Sequence, residues 1–153
     1  MSVRRLRLSR GLSRDERGVA AVEAALVLPV LLLLTFGAVD VSWLMAQSHR
    51  VEQGLAAGGG YLAKSPDPVR DAGRARNLAA TGSFSGGEPR VAGWGAEGVR
   101  VSFRSESGDF RTGSRGRVAV LEATVPYRGF GILSSIRREP LVIRATHEER
   151  VDL

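Results

Sequence analysis

The polarity pattern changes character along the chain. From Ala24 to Val39 no residue is charged, and leucine and valine fall on every side of a helical wheel. A helix that is apolar all round needs apolar surroundings. Val19 to Ala46 is 28 residues, about 42 Å of helix at 1.5 Å per residue. The uncharged stretch covers about 24 Å, a little short of the ~30 Å hydrocarbon core of a bilayer. Asp40 at the outer headgroup boundary and Trp43 in the interfacial aromatic belt close the gap. Pro29 removes one backbone hydrogen bond and predicts a bend near Val22 to Ala25.

Beyond Trp43 the helix becomes amphipathic. Leu44, Val51, Leu55 and Leu62 keep helical spacing up to Gly58-Gly59-Gly60, which weakens the helix. Ser65-Pro66-Asp67-Pro68 is a break and restart, with Asp67 as N-cap and Pro68 at the first helical position. This second helix is predicted to reach about Ala80 and to stop at Gly82, followed by a turn-rich loop over 82–98. Then the period becomes two. Val99, Val101 and Phe103 predict one strand, Ala119, Leu121, Ala123 and Val125 a second, and Leu141, Ile143 and Ala145 a third. Gly108 to Gly116 reads as a loop, and Phe130 to Ile136 as an apolar turn or short helix. Short connections favour an antiparallel sheet packed on the helix, an α+β fold. The organisation expected is a basic leader over 1–18, a transmembrane helix over 19–46, its extension over 47–64, and a small α+β domain over 65–153.

Charge sharpens this picture. The chain has 22 basic and 16 acidic residues, and residues 1–18 hold six arginines beside Asp15 and Glu16. Without that leader, 16 basic residues face 14 acidic ones, a net charge of +2. Most of the basic excess is therefore a topology signal rather than a nucleic-acid footprint. Arg70, Arg74 and Arg76 form the nearest basic cluster, and no aromatic lies among them. Fewer than 90 residues remain for a globular part, so its core is small. The absence of cysteine removes disulfides, thiolate metal sites and cysteine nucleophiles.

Familiar catalytic patterns fail on context. Gly93-Trp94-Gly95-Ala96-Glu97-Gly98 fits G-x-G-x-x-G, but the phosphate-binding form follows a strand and opens a helix, whereas these glycines lead into a strand. His49 and His147 lie nearly a hundred residues apart with no second ligand at helical spacing, so no metal site is expected. Ser134-Ser135 has no nucleophile elbow. Glu148-Glu149 reads most simply as a solvated face, and Asp40 as a marker of the membrane interface or, less simply, a partner for another subunit within the membrane. No cofactor and no enzymatic activity are expected.

The N-terminal junction carries the strongest signal. Arginines crowd the N-terminal flank, while His49, Arg50 and Glu52 lie on the distal one. The positive-inside rule then puts the N-terminus in the cytoplasm and the C-terminal part outside. A secretory signal peptide fits poorly: the run is long, and Leu44 stands at the minus-three position of a cut after Ala46. Glu23 is a carboxylate at the mouth of a membrane-length helix, five residues after Gly18, where an acid is costly.

Arg17-Gly18-Val19-Ala20-Ala21-Val22-Glu23 and the apolar run through Leu34 to Phe36-Gly37 resemble the N-terminal signature of TadE-like proteins, pseudopilin-type minor components of tight-adherence (Flp, type IVb) pilus systems. Ala75 to Gly82 with Val91-Ala92-Gly93-Trp94, and the pair Val118 to Tyr127 and Leu141 to Arg150, are similar to later parts of the family. The resemblance implies cleavage at Gly18–Val19 by a prepilin peptidase, and partners among pilin-like subunits and the pilus assembly machinery, at the cell (inner) membrane. Glycine admits close backbone approach to a protease. The new Val19 ammonium would pair with Glu23 of a neighbouring subunit, because a buried charge needs a partner. The rival reading is a membrane-anchored extracytoplasmic binding domain unrelated to pili.

Overall fold

The computed structural model describes residues 16–106, 116–129, 131, 135 and 139–151. Residues 1–15, residues 108–115 of the predicted loop and most of the predicted turn at 130–136 lie outside them. The chain divides into two units, Met1–Phe36 and Gly37–Leu153.

Helix α1, Glu16–Ala63, is 48 residues long and continues unbroken through Pro29. In the first unit every residue from Gly18 to Phe36 is exposed. Thr35 turns its hydroxyl back onto the Leu31 carbonyl at 2.7 Å, so this side chain needs no outside partner.

Within the second unit, α1 supplies Val51, Leu55 and Leu62 to the core. Gly54, Gly58 and Gly59 between them are packing positions rather than a weak end. A Cβ on Gly54 would collide with the Ala79 carbonyl oxygen and with Trp94, and one on Gly58 would stand 2.9 Å from the Ala75 carbonyl oxygen. Their missing side chains let α2, Pro68–Thr81, lie directly against α1. The predicted limits of α2 hold. The Asp67 carboxylate accepts the Arg70 N–H at 3.0 Å, and Gly82 ends the helix in the left-handed region at φ 82°. Ser65 reinforces the start: its hydroxyl donates to Asp71 at 2.6 Å and accepts the Asp67 N–H at 3.1 Å. That Ser65 hydrogen bond is the main reason the Asp71 carboxyl lies below the usual carboxylate range.

Strands β1 (Val99–Glu106), β2 (Gly116–Pro126) and β3 (Val142–Val151) form an antiparallel sheet in the order β1-β2-β3. Val101 faces Leu121, which faces His147, on the inner side; Arg100, Glu122 and Thr146 form the neighbouring row outside. Ala119, Leu121, Ala123 and Val125 are all buried, as their alternation predicts. Leu141, predicted to open the third strand, lies just before it and accepts the Tyr127 N–H at 2.8 Å. Trp94 is the largest fully buried side chain. The architecture is α+β.

Candidate functional site at the start of the first helix

Gly18, Val19 and Glu23 lie in the opening turns of α1, two to seven residues after its first residue, Glu16. Glycine in a helix costs about 1 kcal/mol relative to alanine, so the Gly18–Val19 bond lies at a locally weak point of α1. Val19 and Glu23 are four residues apart, one helical turn, and share a face with Val22 and Leu26. Val19 is 65% exposed and Leu26 71%. Glu23 is exposed as well, and among the described residues no cation forms an ion pair with it. It is the one charged residue of an otherwise apolar helical surface from Gly18 to Val39. That segment belongs to a helix long and apolar enough to cross a membrane, with a mean hydropathy of 2.4 over its most apolar window, none of it buried.

Asp40 departs from expectation. It is fully buried and accepts the Tyr127 hydroxyl on its carboxylate, while its main-chain oxygen takes the same hydroxyl at 2.8 Å. An acid that the sequence suggests as an interface marker has a partner within the chain, the residue that follows β2. Burial, and then the bond to Asp40, push the Tyr127 phenol up to about 12. Nothing in the local sequence signals this pairing across 87 positions.

The other chemical candidates separate. Glu148 is exposed and pairs with Arg104 at 3.0 Å, but Glu149 turns inward, half-buried, to His147 Nε2 at 3.1 Å. The expected solvated face therefore holds for the first glutamate and not the second, because adjacent strand residues point to opposite sides. His49 sits 3.5 Å from Glu52, and the described residues contain no cluster of three His, Cys, Asp or Glu. Ser134 lies outside the described residues; the Ser135 N–H donates to Gly131 at 2.9 Å. The G-x-G-x-x-G segment opens no helix. It makes a turn closed by Trp94 N–H to Val91 at 3.0 Å, then a single 3-10 turn, Ala96–Gly98, that delivers β1. Its work is to bury Trp94 against Gly54.

No curated protein and no solved structure matches this chain. Residues 18–59, from the glycine of the candidate cleavage bond through the glycines packed beneath the sheet, match the family model of the TadE-like proteins, the family whose N-terminal signature this segment resembles.

Proposed function

We propose that this chain is a TadE-like minor pilin or pseudopilin, non-enzymatic and anchored by a single membrane pass, that acts in the assembly or function of a tight-adherence (Flp) pilus. The observation that carries this reading is the TadE-like match over 18–59, on a helix whose apolar surface is exposed from Gly18 to Phe36. Such a surface needs lipid or other helices around it. In this reading the arginine-rich leader stays in the cytoplasm and the α+β domain lies outside the inner membrane. A prepilin peptidase cuts the Gly18–Val19 bond once the first turn unwinds. The Val19 ammonium then meets Glu23 of a neighbouring subunit, so that each charge is neutralised as helices bundle.

Mass spectrometry of the membrane-extracted protein tests this directly. Coexpression with the peptidase should move the N-terminus to Val19, and omission of the peptidase should leave it unprocessed. A chain that still begins at Met1 beside active peptidase, or one that begins after Ala46, overturns the reading. A phosphatase fused after Leu153 should be active, which reports an external C-terminus; an inactive fusion of normal abundance reverses the topology.

A further inference from the structure

We propose that Tyr127, Arg128 and Gly129 form a strap clamped onto α1 at two points, with Asp40 and Gln47 as the positioning residues that hold it. Asp40 and Gln47 are seven residues apart, two helical turns, and share one face of α1. Both are buried, at 0% and 7% exposure. Asp40 receives the Tyr127 hydroxyl, and Gln47 Nε2 donates to the Arg128 carbonyl at 3.0 Å. Gly129 completes the contact. A Cβ there would collide with both the Tyr127 hydroxyl and the Asp40 carboxylate, so the main chain passes directly beside their hydrogen bond.

The two points differ in kind. The Asp40 carboxylate takes a hydroxyl donor whose proton burial holds more tightly than usual. The Gln47 amide is satisfied on one side: its Oε1 is buried and has no hydrogen-bond partner among the described residues. A buried acceptor left in that state is costly, so the Gln47 contact carries a penalty that the Asp40 contact does not. Asp40 is also the first charged residue after the run Ala24–Val39. Resting on the membrane-anchor reading, the clamp closes where α1 leaves the bilayer. A pull on the anchor then reaches β2 through Tyr127, and an acid at position 40 is explained by what it grips.

Hydrogen–deuterium exchange on the full chain in lipid nanodiscs tests the clamp. Tyr127→Phe keeps the ring and removes the hydroxyl; exchange over residues 127–129 should quicken about tenfold while α2 and the strands stay as they were. Asp40→Ala removes the carboxylate but keeps the main-chain oxygen that also accepts this hydroxyl, so it should quicken the same residues by less than Tyr127→Phe, and the double variant should be no faster than Tyr127→Phe alone. Asp40→Asn retains an oxygen acceptor and should stay within about twofold of the parent. Parental exchange in Tyr127→Phe, an increase spread evenly over the sheet, or Asp40→Asn as fast as Asp40→Ala overturns the proposal. None of these readouts needs the peptidase or a pilus, so failure here is distinguishable from failure of the pilus reading.

Discussion

One helix, α1, solves two different problems along its length. From Gly18 to Val39 it carries leucine and valine on all sides and leaves them exposed, with Leu26 at 71% and Leu33 at 62%. From Asp40 to Ala63 its buried large apolar residues form a stripe, Val51, Leu55 and Leu62, and glycines stand between them. The first stretch has strong apolar character, and its leucines and valines are exposed. The second has poor helix formers, at about 1 kcal/mol per glycine relative to alanine, and owes its order to what packs on it. Helicity in the first is intrinsic and its environment is borrowed; in the second the environment is built in and the helicity is borrowed.

The largest effect that bears on this contrast is expected from Glu23→Ala. Removal of the one charge in the exposed stretch should leave insertion unharmed, or better by up to ~3 kcal/mol. If Glu23 pairs with a neighbour's Val19 ammonium, the same change strands that ammonium at a cost of about 3–5 kcal/mol. The variant should accumulate in the membrane at parental levels yet lose co-purification with pilin-like subunits and lose piliation. Normal piliation would show that the first stretch needs lipid alone.

The packed stretch breaks differently. Gly54→Ala drives a methyl into the Ala79 carbonyl and the Trp94 ring, and should cost about 1–3 kcal/mol, read as a lowered Tm in detergent micelles. An unchanged Tm would mean that α1 and α2 are not in close contact. A smaller, pH-dependent effect belongs to Tyr127. Its phenol is pushed up to about 12 in the folded chain, against about 10 unfolded. The folded state therefore holds this proton more tightly. The stabilisation is fully present below pH 10 and is lost as pH rises from 10 through 12. Tyr127→Phe should flatten that part of the alkaline stability profile, and an unaltered profile would separate Tyr127 from it.

The smallest change has the opposite sign. Gly60 lies in α1 with nothing within 4 Å of the place a Cβ would occupy, so Gly60→Ala should stabilise the second unit by about 0.5–1 kcal/mol. A loss of stability instead would mean that the whole Gly58–Gly60 run is a packing surface.

The elements of this fold are legible in the sequence because each has a local cause. The apolar run announces a helix that needs lipid-like surroundings, Asp67-Pro68 and Gly82 bound α2 through their own backbone chemistry, and period-two alternation marks β1, β2 and β3. The proposed cleavage motif is likewise a matter of seven consecutive residues. What tertiary structure alone decides is which side chains meet. Gly58-Gly59-Gly60 reads as a weak helix until α2 and the sheet close on Gly58 and Gly59, and Glu149 reads as surface until the pleat turns it toward His147. Nothing near Asp40 in the sequence announces that a tyrosine 87 positions later grips it. Local pattern reports the face and the backbone preference of a residue, whereas a partner across the fold is set by register and by the space that glycines leave, and no window of sequence contains both.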